Sequence, residues 1–137
     1  KADLLRSNGK ETAEKMRTEA KELAAKQRSE TDKAYTMAME KAKKEADALV
    51  AAAKDPIQKK LAKVTAEKLL KEADKKATAA KGEGYKLADQ TEAKGNQKAD
   101  QWESSVNDKA DQVELAAKNR TDEMIKQAKA TADAATK

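Results

Sequence analysis

Small and apolar residues recur along this chain at a fixed interval of eleven. The interval is plainest as Ala-Asp-Gln at 88–90, 99–101 and 110–112. Counted in elevens from Ala66, the first position holds Ala66, Ala77, Ala88, Ala99, Ala110, Thr121 and Ala132. Counted from Ala2, it holds Ala2, Ala13, Ala24, Tyr35 and Ala46. Eleven residues close three helical turns at about 3.67 residues per turn, near the pitch of a straight helix. Positions 1, 4 and 8 of each repeat share one helical face, as in Ala13/Met16/Ala20, Ala66/Leu69/Ala73 and Ala99/Trp102/Val106. The pattern therefore predicts long, nearly straight helices, each with one narrow seam rather than a broad apolar face.

The phase of the repeat slips once. Elevens counted from Ala46 lead to Ile57 and Lys68, yet the seam restarts at Ala66. The slip contains the one proline. Lys54-Asp55-Pro56-Ile57-Gln58 reads as a helix start, with Asp55 as N-cap, Pro56 at the first helical position and Gln58 three residues after the cap. Helix 1 is expected over about 2–54, ending near Ala53, the turn at 55–56 and helix 2 over about 56–136. Gly9, Gly84 and Gly95 occupy repeat position 8, where the seam otherwise holds mostly Ala, and only Gly82 is off the seam. Glycine at these places either ends a helix, at 82–84 or 95–96, or lets a partner helix approach closely. The unbroken phase from Ala66 to Ala135 favours close approach.

A chain that folds back at the corner brings two helices together antiparallel. Facing residue numbers then add to roughly 109–111 if the turn is tight. Repeat position 5 holds Arg6, Arg17 and Arg28 in helix 1, and Glu92, Glu103 and Glu114 in helix 2. The expected register sets Arg6 against Glu103, Arg17 against Glu92 and Arg28 near Glu83, with Leu5 between Trp102 and Val106. Trp102 is then the one large seam anchor. Such flanking pairs choose orientation more than they add stability. The expected fold is all-α: a long antiparallel hairpin, in which residues 110–137 overhang with Val113, Leu115, Met124 and Ile125 uncovered. Two overhangs paired antiparallel would close an elongated dimer. The alternative is an up-down-up bundle of roughly 10–54, 56–94 and 97–137, for which these faces are narrow.

Composition sharpens this picture. The chain has 137 residues, no Phe, one Trp and 40% charged residues. Leu, Ile and Val make up only 15 of the 137, which rules out a thick globular core. Ala, Lys, Glu and Gln are strong helix formers, so a single rod-like helical domain fits. Thirty basic residues nearly balance 25 acidic ones, and the signs alternate along the chain. That is the pattern of a solvated helical face, and it disfavours a nucleic-acid partner, which calls for clustered Lys and Arg. No apolar run is long enough for a membrane span. The chain opens on Lys1 rather than Met, which fits removal of an export signal from a periplasmic or secreted protein.

Candidate chemistry is sparse. With no His and no Cys, the usual metal sites, thiol nucleophiles and His-based acid–base catalysis are missing. The serines stand on polar helical stretches without a base, and Gly82-Glu83-Gly84 lacks the context of a phosphate loop. No catalytic, cofactor or metal residue is expected, and the chain reads as non-enzymatic.

The repeats Ala-Asp-Gln-Thr-Glu-Ala-Lys-Gly-Asn-Gln-Lys at 88–98 and Ala-Asp-Gln-Val-Glu-Leu-Ala-Ala-Lys-Asn-Arg at 110–120 resemble the 11-residue repeat of group 3 late embryogenesis abundant proteins. The resemblance implies a stress-protective protein, disordered when dilute and helical on drying or at membranes. Trp102, the methionines and the Asp55-Pro56 corner depart from that pattern and suit a defined fold. The favoured function is an interaction protein, a spacer or scaffold that docks through its overhang onto a second copy or another protein. The alternatives are the protective role and a lipid-surface role like that of the exchangeable apolipoproteins. A seam made mostly of Ala partitions poorly into lipid, so the membrane surface is the less favoured partner.

Overall fold

The computed structural model describes residues 1–136. It contains two long helices packed against each other as a hairpin, α1 over Ala2–Ala52 and α2 over Pro56–Ala135. Among the described residues there is no strand. The three-helix alternative does not form, because α2 runs without interruption through Gly82, Gly84, Gly95 and Asn96. No glycine takes a positive φ. Threonines, weaker helix formers than the residues around them, turn their hydroxyls back onto the helix. Thr18, Thr65, Thr91 and Thr121 each donate to the carbonyl four residues earlier.

The corner is built by its own sequence. The Gln58 backbone N–H donates to Asp55 Oδ1 at 2.8 Å, so Asp55 caps α2. The Gln58 side chain accepts from the Lys54 N–H at 3.1 Å. Lys54 is thereby diverted from α1, whose last amide bond is the short turn from Ala53 N–H to Val50 C=O. Pro56 in turn disfavours helical geometry at Asp55. Together these stop α1 at Ala52, next to the expected end near Ala53.

The buried set is alanine together with Gly9, which stands at the eighth position of the first repeat. On α1 it comprises Ala2, Ala13, Ala24 and Ala46 at the first repeat position, with Ala20 and Ala42 at the eighth. On α2 it comprises Ala66, Ala77, Ala88, Ala99 and Ala110, all at the first position. Among the described residues no large side chain is fully buried. A methyl contributes at most about 0.8 kcal/mol on burial. The seam thus gains little per residue, and small side chains let the two backbones come close.

The packing divides into two units, Ala20–Lys94, which includes the corner, and Lys1–Glu19 with Gly95–Lys137. In the first, Gly84 sits against Thr31; in the second, Gly9 sits against Val106. The residue numbers at each of these contacts add to 115. The backbone register therefore exceeds that of a tight turn. Followed to the corner, it sets Ala53 level with Ala62, both half-buried, while residues 54–61 are all exposed. The first turns of α2 project beyond the end of α1, because the connection leads forward before Pro56 starts the return.

Candidate functional site

Three arginines of α1 each grip two carboxylates of α2. Arg6 donates to Asp111 at 2.6 Å and to Glu114. Arg17 donates to Asp100 at 2.7 Å and Glu103 at 2.9 Å. Arg28 donates to Asp89 at 2.6 Å and Glu92 at 3.3 Å. The acceptors are the Asp and Glu of Asp-Gln-Thr-Glu, Asp-Gln-Trp-Glu and Asp-Gln-Val-Glu, at 89–92, 100–103 and 111–114. Asp and Glu three apart lie on one helical face, so both reach one guanidinium. Hydrogen bonds donated to the carboxylates, Glu114 and then Asp111 in the case of Arg6, hold each arginine even more firmly protonated than usual. In return Arg6 holds the Glu114 carboxyl below its ordinary range.

These clamps correct the expected pairing. Arg6 meets Glu114 rather than Glu103, and Arg17 meets Glu103 rather than Glu92. Arg28 takes Glu92 rather than Glu83. For Arg6 and Arg17 the partner is a full repeat further along α2, and for Arg28 it is nine residues further. Part of the shift is the forward corner. The remainder is side-chain direction: long side chains lean toward the N-terminus of their own helix. In an antiparallel pair Arg and Glu lean toward each other from residues whose numbers exceed the backbone register. The three aspartates are the partners that the position-5 pattern alone does not show; their recurrence three residues before each glutamate is the sequence signal for them.

Trp102 is not the seam anchor. Its side chain is 47% exposed, and the register sets it level with Ala13, which is fully buried. Leu5 is likewise exposed and lies level with Ala110. A seam narrow enough for Ala and Gly has no room for an indole. Gln27, at the fourth position of its repeat, is half-buried with its Oε1 enclosed and unpaired.

A second polar cluster lies in the Ala20–Lys94 unit. Tyr35 donates to Asp74 at 2.8 Å, and Tyr85 donates to Asp32. Lys81 lies 3.7 Å from Asp32 and stands over both rings, 5.0 Å from the centre of Tyr35 and 5.7 Å from that of Tyr85. This cross-brace is cation–π in character. The hydrogen bond to Asp74 and that to Asp32 push the two phenols above their ordinary range. Beside it is a small cavity of about 210 Å³ lined by Ala34, Tyr35, Ala38, Ala77 and Ala80, among others.

Of the expected contact residues, Val113 lies beside Lys1, Ala2 and Asp3 in a shallow groove. Leu115, Met124 and Ile125 are exposed, as is every residue from Asp111 to Thr136. Ala110, expected to begin the uncovered stretch, is instead fully buried. Among the described residues no group of His, Cys, Asp or Glu is placed to hold a metal ion, and no helix is long and apolar enough to cross a membrane. The arrangement holds two helices in register and presents surfaces. No family model, curated protein or solved structure matches the chain.

Proposed function

We propose that the chain is a non-enzymatic structural protein, a straight or right-handed eleven-residue coiled coil that serves as a spacer or scaffold. It docks through the last part of α2, past the Arg6 clamp, onto a second copy. The observation that carries this reading is the contrast along α2. Up to Glu114 the Asp and Glu of its three Asp-Gln-X-Glu segments are taken up by arginines of α1, and from Leu115 its apolar residues Leu115, Met124 and Ile125 stand exposed. Repeat position 5 supports a like partner. In three repeats of the hairpin that position sets Arg6, Arg17 and Arg28 against Glu114, Glu103 and Glu92, whereas the uncovered stretch carries Ile125 there. A two-fold pairing can bring a position against its own copy, where Ile tolerates itself and Arg or Glu does not. Light scattering tests this with Leu115, Met124 and Ile125 all changed to Ser. A dimer that becomes a monomer of unchanged helicity supports the reading, and a chain that is monomeric before substitution contradicts it.

A second reading, protection under water stress, is favoured by a buried set of alanines and one glycine. So little apolar burial leaves helix formation sensitive to hydration. The two readings separate on whether the helices stand in dilute buffer.

A further inference from the structure

The first two turns of α2 carry a second apolar surface that neither the seam nor the C-terminal stretch accounts for. Ile57, Leu61 and Val64 are 75%, 64% and 49% exposed. Their spacing of four and three puts them on one stripe. Ala66, Leu69 and Ala73, on the side toward α1, lie roughly half a turn around the helix from that stripe. α1 cannot cover it from there. With Pro56 and Lys60 the stripe forms an open groove of about 540 Å³.

The charge around the stripe is one-sided. Between Asp55 and Glu67 the charged residues are Lys59, Lys60 and Lys63, with no carboxylate among them. Among the described residues none of these lysines forms an ion pair. Exposed aliphatics rimmed by unpaired lysines match a surface that is apolar beneath and negative on top. We propose that this corner of the hairpin docks on an anionic lipid bilayer surface, with Ile57, Leu61 and Val64 entering the headgroup boundary and the lysines engaging lipid phosphates and carboxylates. A protein partner fits less well. Three side chains offer a few hundred Å² against the roughly 1,000 Å² that a specific protein interface needs. A bilayer sets no such threshold, because it adds diffuse attraction worth roughly fivefold in partition per lysine.

The test is flotation of the full chain with vesicles of phosphatidylcholine alone and with about one third phosphatidylserine. The proposal expects partition onto the anionic vesicles only, weakened by salt. Changing Ile57, Leu61 and Val64 together to Ser lowers it at least about tenfold, and Lys59, Lys60 and Lys63 to Gln lowers it further, with circular dichroism unchanged. The chain has no cysteine, so Leu61→Cys carrying a polarity-sensitive dye reports a blue shift on the anionic vesicles. Equal binding to neutral vesicles, no binding at all, or loss of binding only on changing Leu115, Met124 and Ile125 overturns the proposal. So does a fall in oligomer mass on changing the Ile57 stripe without any vesicle binding, which would make it a contact between copies.

Discussion

Gly84 faces Thr31 so closely that a methyl at position 84 would lie 2.5 Å from the Thr31 hydroxyl oxygen and 2.6 Å from its methyl. The threonine has little freedom to retreat. It is β-branched, and its hydroxyl donates to the Gln27 carbonyl at 2.8 Å. Gly82, two residues away, has open space at the corresponding point. One of these glycines admits the partner helix, and the other only weakens α2. Gly82→Ala should therefore raise stability by about 0.5–1 kcal/mol, while Gly84→Ala lowers the melting temperature. Thr31→Ala in the Gly84→Ala background should recover most of the loss. Thermal melts of the four chains check this.

The clamps predict a specific charge exchange. Arg6→Glu with Arg17→Glu should lower the melting temperature, as each glutamate then faces two carboxylates. Lysine at 114 and 103 should restore it. Lysine at 103 and 92, the pairing of a tight turn, should restore only part, because Glu92 belongs to Arg28. Melts at low salt, where exposed charges are least screened, give the clearest reading.

Gln27 is a defect in the seam. An enclosed acceptor without a donor costs about 1–3 kcal/mol, and among the described residues Gln27 Oε1 has no hydrogen-bond partner. Gln27→Met keeps the length and removes the unpaired group. It should stabilise the hairpin by about 1 kcal/mol, measured by urea titration with an unchanged slope.

Alkali should loosen the cross-brace. Tyr35 and Tyr85 have phenols raised in the folded chain because each donates to an aspartate. A raised pKa gives stability that is whole below the unfolded value, about 10, and is lost as pH climbs through the folded one. Tyrosinate absorbance should therefore rise later than for free tyrosine, and Asp74→Asn should bring Tyr35 back toward the ordinary range. Glu114 works in the opposite sense. Its carboxyl is lowered by Arg6, so its contribution is whole at neutral pH and is lost as pH falls through the folded value. Glu114→Gln should flatten the acid limb of the stability curve.

The all-helical hairpin was legible because its signals are local. Alanine every eleven residues marks a helical face, and Asp55-Pro56-Ile57-Gln58 encodes a cap. The register was not legible by counting back from the turn, since it depends on how far the connection advances before Pro56 and on which way Arg6 and Glu114 lean. Gly9 against Val106 and Gly84 against Thr31 fix it in space. Trp102 misled for a related reason. Size marked it as an anchor, but its place opposite Ala13, in a seam set by methyl groups, leaves an indole outside. The lysine-rimmed stripe at Ile57 was readable as amphipathic spacing, yet its direction away from α1 emerged only with the fold.

The central claim is that α1 and α2 form a hairpin by themselves, in water, before any partner arrives. Far-UV circular dichroism of the chain at micromolar concentration in plain buffer, followed through a thermal melt, tests it directly. The account predicts high helicity lost in one cooperative step. Little helix in buffer, appearing only on dehydration or with lipid, would contradict it.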